Sequence, residues 1–337
     1  MNPPTVIELF AGAGGLALGL EQAGFNVVLL NENDKWACKT LQTNRPKWKV
    51  VCQDISQLDW KGYKADVITG GFPCQPFSYA GKRLGFEDTR GTLFFEFARC
   101  VKEVRPKMFV AENVYGLTTH SDGKTLKTIV SIMEDLGYTV QYQVLDAVDY
   151  HVPQKRKRVI IVGSSSGVYF RFPKPSDKRI NLKEALKGVP QSGGAKYSKT
   201  RMEVMKLVPP GGSWVDLPKK TQLEYMGKSY YSEGGKRGAA RRLSWAEPSP
   251  TLTTSPSQKL TEFCHPEETR PLTVREYARI QTFPDSWQFA GGIGSQYKQI
   301  GNATPVKLAE AIGRAVIKAL EQKNESVLLN TMSAASD

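Results

Sequence analysis

Cys74 stands between two prolines in Gly71-Phe72-Pro73-Cys74-Gln75-Pro76, directly after a short apolar run at 67–69. Prolines fix the backbone on either side, so the sulfur is aimed, and as a thiolate it is a strong, soft nucleophile. Glu112, in Ala111-Glu112-Asn113-Val114, ends another apolar run. A carboxyl there, partly desolvated, can stay protonated and act as an acid or hydrogen-bond donor. Arg156 and Arg158 belong to Gln154-Lys155-Arg156-Lys157-Arg158. In extended chain Gln154, Arg156 and Arg158 share one face and the two lysines the other, a pattern that suits holding a base or a phosphate.

A second set lies near the N-terminus. Residues 5–10 read as a strand that runs into Ala11-Gly12-Ala13-Gly14-Gly15 and then a helix over 15–22. Glycines at a strand–helix turn let the backbone approach a ligand. Glu32 ends the next predicted strand, where a carboxylate can take both hydroxyls of a ribose, and Asp54-Ile55 follow a third, placed to read an adenine edge. The loop lacks the Gly-Lys-Ser/Thr of a phosphate-binding P-loop, so an adenosine-type site is the expectation.

Strands at 5–10, 27–30, 67–69, 108–111 and 159–162 alternate with helical patterns such as 92–104 and 125–136. That alternation predicts an α/β fold, a Rossmann-like mostly parallel sheet with both faces covered, which would set these motifs at the carboxyl ends of its strands. The texture changes after Phe172, where Pro, Gly, Ser and Lys dominate. Residues 173–274 hold 18 Lys+Arg against 10 Asp+Glu, a surplus of 8 within a formal net charge of +13 for all 337 residues. A smaller, basic, loop-rich domain is expected there, with a polyanionic partner. Helical periodicity returns at 273–281 and 305–320, and the last residues read as a frayed tail.

No apolar run is long enough to span a bilayer, and the start lacks a signal-peptide pattern. Five cysteines make a poor disulfide framework, so Cys38, Cys52, Cys100 and Cys264 are expected as packed thiols. None lies at zinc-ligand spacing and there are only three histidines, so no metal site is expected. The expectation is a cytoplasmic protein.

The chain resembles the cytosine-5 DNA methyltransferases, above all the compact bacterial enzymes of restriction–modification systems. The matches fall in the family's order: residues 10–15, Glu32, Asp54-Ile55, Pro73-Cys74-Gln75, Glu112-Asn113-Val114, Gln154-x-Arg156-x-Arg158, residues 273–284 and Gly301-Asn302-Ala303. They cover 1–172 and about 270–320, with a fainter echo at 247–253.

The resemblance implies S-adenosylmethionine as methyl donor, S-adenosylhomocysteine as product, and double-stranded DNA as substrate, bound by a monomer without metal or membrane. It implies Cys74 as the nucleophile on carbon 6 of a flipped cytosine, Glu112 at nitrogen-3 and the amino edge, Arg158 at the carbonyl oxygen and Arg156 in support. It implies a cofactor pocket of Phe10, Ala11, Gly12, Gly14, Gly15, Glu32, Asn33, Asp54, Ile55, Pro73, Leu93 and Asn302. One departure stands out: Asn33 replaces the family's frequent adenine-stacking aromatic, and Trp36, one helical turn on, is the candidate substitute. Residues 81–91 match the mobile active-site loop. Residues 1–180 with 291–325 would be catalytic, 181–290 would recognise the target and 326–337 would be a disordered tail. Arg237, Arg241, Arg242, Thr251, Thr253, Thr254 and Ser255 are the candidates to read bases. A tRNA methyltransferase and a non-catalytic DNA-binding relative are the alternatives.

Overall fold

Short runs of β-branched and apolar residues become strands because they are buried on both faces of one sheet. A computed structural model describes residues 2–73, 93–231, 238–258 and 261–334. The strands are β1 (Thr5–Leu9), β2 (Asn26–Glu32), β3 (Val50–Cys52), β4 (Val67–Gly70), β5 (Met108–Val114), β6 (Thr139–Asp146) and β7 (Lys157–Ser164). Their order is β3-β2-β1-β4-β5-β7-β6. The first five run parallel, and β7 lies antiparallel to both β5 and β6. The expected mostly parallel sheet is therefore present. The expectation missed β6, an edge strand whose exposed residues dilute its apolar signal.

Alternation along β1 divides the core. Val6 joins the cluster formed with helices α1 (Gly15–Ala23) and α10 (Val306–Ala334), while Ile7 and Leu9 join the one formed with α3 (Leu93–Val104) and α4 (Lys124–Asp135). The first of these faces is drawn tight at Gly15, where an added Cβ would sit 2.2 Å from the Thr304 carbonyl oxygen. Helix α2 (Lys35–Asn44) starts at Asp34, whose side chain accepts from the Trp36 and Ala37 amides.

Two expectations need correction. Cys38 on α2 and Cys52 at the end of β3 are not separate packed thiols; they form a disulfide, with Cα atoms 5.9 Å apart. Chain spacing could not reveal this, because the crossover geometry makes them neighbours. Helix α10 continues past 320 to Ala334, through residues expected to fray. No Gly or Pro follows Gly313, so no residue with a stop signal interrupts it.

Between β7 and α10 lie α5 (Leu182–Ala185), α6 (Lys199–Lys206), α7 (Lys219–Met226), two-residue strands β8 (Arg241–Arg242) and β9 (Phe263–Cys264), α8 (Val274–Ile280) and α9 (Ile293–Asn302). Tyr197, Met205, Val208, Leu217, Ala240 and Cys264 form a small core of their own, whereas Leu252, Tyr277, Phe283 and Ile300 belong to the main one. No helix among the described residues is long and apolar enough to cross a membrane.

Helix α8 is clamped at its start. Glu276 accepts from the Thr273 amide at 2.7 Å and is forked by Arg270 at 2.8 and 2.9 Å. Burial pushes this carboxyl up, but Arg270 and the Thr273 amide outweigh burial and hold it below its ordinary 4.5. A depressed folded-state value contributes stability above the unfolded pKa, and that contribution is lost as pH falls through the folded one. Glu276→Gln is expected to cost about 2 kcal/mol near neutrality. In thermal melts, the gap from wild type should hold down to about pH 5.5 and shrink below about 4.5. A gap independent of pH would refute the assignment.

Candidate functional site

The carboxyl ends of β1, β2, β4 and β5 open onto one cavity of ≈ 760 Å³, within the usual range for a small-ligand site. Most residues expected to act together do meet there.

The glycine turn and Glu32 form its first wall. Gly12 N donates to one oxygen of the Glu32 carboxylate at 2.7 Å, and the Asn33 and Asp34 amides donate to the other at 2.8 Å each. Three backbone donors thus fix an acidic group at the cavity edge, beside Phe10 and Gly15. Gly14 takes φ +83°, a left-handed conformation that glycine adopts without steric cost, and caps α1. Asp54 caps a single 3-10 turn by accepting from the Ser56 amide and hydroxyl, which holds its carboxyl below the ordinary value. Ile55, Pro73, Leu93 and Asn302 also line the cavity. Asn33 lines it too. Trp36 does not, and its ring instead lies against Gly291, where an added Cβ would come within 2.9 Å. The expectation that Trp36 replaces the missing aromatic is therefore not met.

The opposite wall carries the charged pair. Arg158 Nε lies 2.7 Å from Glu112 Oε1, and both side chains are nearly buried. Antiparallel pairing sets Val114 opposite Arg158, which places Glu112 two residues away, within reach of the guanidinium. The chemistry expected of Glu112 as a free acid must therefore begin from an ion pair. Asn113 Nδ2 donates to the Phe72 carbonyl at 2.8 Å, tying β5 to the segment that leads to Cys74. Cys74 itself, Gln75 and the expected loop at 81–91 lie outside the described residues, as does Arg237.

Alternation after residue 153 is as expected: Gln154 and Arg156 are buried, Lys155 and Lys157 exposed. Arg156, 1% exposed, donates to the carbonyls of Leu252 at 3.2 Å, Gly301 at 2.9 Å and Ala303 at 3.1 Å. Burial, and then the charge of Arg158, pull its pKa down to about 9 despite Glu112. Gly301 packs against the Thr253 carbonyl so closely that a Cβ would sit 2.2 Å from the oxygen.

Among the base-reading candidates, Arg242 is corrected. It is buried, and its guanidinium is bonded to the carbonyls of Met205 and Val208 at 2.7 Å and to that of His265 at 3.2 Å. Arg241 is half-buried. The hydroxyls of Thr251 and Thr253 bond to the carbonyls of Lys155 and Ser255. Thr253 and Thr254 line the cavity.

Sequence reading missed Glu8. This carboxyl lines the cavity at 2% exposure, with Oε2 lacking a hydrogen-bond partner among the described residues. Burial, then the Glu32 charge, push it well above the ordinary value. The signal was available: a lone acid inside the apolar run Thr5-Val6-Ile7-Glu8-Leu9-Phe10. Arg156 Nε, also at this cavity, has no partner among those residues either. Among the described residues, no group of three or more His, Cys, Asp or Glu is arranged to hold a metal ion.

The chain is 59% identical to the Type II methyltransferase M.Eco47II of Escherichia coli, over 96% of this chain and 81% of that one. It is 53% identical to M.Sau96I of Staphylococcus aureus, over 95% and 77%. Among solved structures, a candidate DNA modification methyltransferase encoded within an E. coli prophage superposes with a TM-score of 0.70 at 25% identity, covering 94% of this chain and 99% of that one. Spodoptera frugiperda DNMT2 shares the fold, with a TM-score of 0.67 at 16% identity over 93% and 99%. The model of the C-5 cytosine-specific DNA methylases matches residues 4–318, so a chain with this sheet and this cavity belongs to that family.

Proposed function

We propose that the cavity binds S-adenosylmethionine and a cytosine flipped out of duplex DNA, and that the protein methylates carbon 5 of that base. The observation that carries the reading is one cavity bounded by a Glu32-anchored glycine turn on one side and a Glu112–Arg158 pair on the other, with Pro73 leading to a cysteine. The cofactor fits what lines it: Glu32 offers a fixed carboxylate to ribose hydroxyls, Asp54 and Ile55 meet adenine, and Phe10 packs on it. Ala11, Gly12 and Gly15 give backbone access for the methionine part, with Gly14 shaping the turn from the core side, and Pro73, Leu93 and Asn302 complete the enclosure. The orphaned Glu8 and Arg156 atoms are polar groups that a bound ligand or water would satisfy. The cofactor supplies an electrophilic methyl group.

Cys74 adds to carbon 6, which makes carbon 5 nucleophilic. Glu112 holds the amino edge and a proton at nitrogen-3, so charge does not build on the ring. Arg158 binds the carbonyl oxygen and keeps Glu112 in place. A base then takes the proton from carbon 5, and elimination frees the cysteine. A stacked base is out of reach of such a site, so flipping costs a few kcal/mol and comes first. Residues 181–290 are the proposed recognition unit, their surplus cations meeting phosphates while a few polar side chains read base edges. By analogy with Type II systems, the methyl mark would protect host DNA from a cognate nuclease in the cytoplasm.

Labelled S-adenosylmethionine offered with plasmid DNA or with tRNA tests this, followed by bisulfite sequencing of the DNA. Label in DNA at one sequence context is expected; label only in tRNA would sink the proposal. Glu112→Gln is expected to slow transfer by about 100- to 1,000-fold while DNA binding persists. A loss under threefold would remove Glu112 from the chemistry.

A further inference from the structure

The Cys38–Cys52 pair belongs to no step above and does not line the cavity, yet it lies next to chain that does, at Glu32 and at Gln53-Asp54. Cys52 is exposed at the end of β3, two residues before Asp54. Cys38 is 3% exposed on α2, its sulfur 3.5 Å from the Glu32 carbonyl oxygen, which accepts from the Gln53 amide at 3.0 Å. The two Cα atoms lie 5.9 Å apart, the ordinary spacing of a disulfide. Cys52 thus lies two residues before the cavity residue Asp54, and Cys38 packs against the backbone of Glu32. In a reducing compartment such a pair rests as two thiols.

We propose that Cys38 and Cys52 are a peroxide-modifiable dithiol, with Cys52 the attacking sulfur and Cys38 the resolving one, and that their disulfide preserves the adenosine wall. The exposure difference assigns the roles, because an oxidant reaches Cys52 and not Cys38. The Cys52 thiolate attacks one oxygen of a peroxide; the O–O bond breaks, water leaves and Cys52 becomes a sulfenic acid. The Cys38 sulfur then attacks that sulfur, the S–S bond forms, the S–O bond breaks and a second water leaves with the thiol proton. Two thiols and one hydrogen peroxide give one disulfide and two waters. Without Cys38, Cys52 would go on to sulfinic or sulfonic acid beside Asp54, which no thiol reverses.

The pairing rests on chain geometry; its bearing on cofactor binding rests on the reading above, and separate readouts test the two. The reduced protein is treated with hydrogen peroxide and then denatured without reductant for thiol titration. Titratable thiols should fall from the chain's five to three. Tryptic digestion should yield peptide 36–39 joined to peptide 50–61, restored to monomers by dithiothreitol. Cys38→Ser, with Cys38→Ala as a second variant should the first fold poorly, should lack that link and gain about 32 or 48 Da on peptide 50–61. Calorimetric titration should give oxidised wild type an S-adenosylmethionine Kd within about twofold of the reduced form. Five thiols surviving, or thiol loss without the linked peptide, overturns the pairing. A linked protein whose Kd has risen tenfold overturns the claim that the wall is preserved. Absence of cofactor binding in both forms, with the link present, counts against the proposed cofactor and leaves the pairing supported.

Discussion

Cys74→Ser is expected to cut methyl transfer by about 10,000-fold or more, the scale on which removal of a nucleophile acts. It should also abolish the covalent complex with DNA carrying 5-fluorocytosine, while duplex binding stays within about twofold of wild type. Fluorine occupies the place of the proton that must leave carbon 5, so an enzyme that adds through sulfur is trapped at that stage. A serine hydroxyl is a far weaker nucleophile than a thiolate near neutral pH. The side chain's own position lies outside the described residues, but its approach is well defined. Phe72 is tied to Asn113, and a Cβ on Gly71 would lie 3.1 Å from Glu112 Oε2. Pro73 lines the cavity. The described chain up to Pro73 thus runs along the wall that holds the Glu112–Arg158 pair. A fluorocytosine adduct that persists in Cys74→Ser would dismiss this sulfur as the nucleophile. Loss of DNA binding alongside activity would show instead that the substitution damages the surrounding fold.

Much of this architecture was legible because it follows local rules. The five parallel strands are dense apolar runs, and the acidic groups that follow them sit where a parallel sheet opens its crevice. The alternation of Gln154, Arg156 and Arg158 against two lysines carried over directly, since strand periodicity decides which face is buried. What could not be read depends on contacts across long stretches of chain. Arg242 looked like a surface cation in a basic region, yet it serves as a buried bracket for carbonyls at 205, 208 and 265. Trp36 has the right helical spacing to reach the adenine end, but the return of the chain at Gly291 claims its ring. The Cys38–Cys52 disulfide and the Glu112–Arg158 pair likewise exist only once separate strands align.

The largest expected effect outside the reacting groups belongs to Arg156. Arg156→Met should lower stability by about 2–4 kcal/mol, a fall of about 5–10 °C in Tm, and slow methyl transfer by about 100-fold. Its guanidinium bonds three carbonyls on two distant stretches, 252 and 301–303, and two buried glutamines complete the joint. Gln154 donates to Gln281 at 2.8 Å and accepts from the Leu252 amide at 2.9 Å; Gln281 donates to the carbonyls of Ile300 and Ala303 at 2.7 and 3.0 Å. Ala303 keeps a donor when Arg156 is removed, so two carbonyls, those of Leu252 and Gly301, lose the arginine's hydrogen bonds. Each costs about 1–3 kcal/mol, offset in part because methionine ends the expense of burying a cation. Activity should suffer because the same joint carries Thr253, Thr254 and Asn302 to the cavity, and a misplacement of about 1 Å is worth roughly two orders of magnitude. Arg156→Lys is expected to recover part of the stability, since a single ammonium can satisfy one or two of the carbonyls but not all three. Gln154→Leu combined with Arg156→Met should cost less than the sum of the two, because both act through the Leu252 segment. A variant that loses activity with an unchanged Tm would make Arg156 a partner of the reacting base; one that loses both is a positioning residue, the role its three carbonyl bonds assign it.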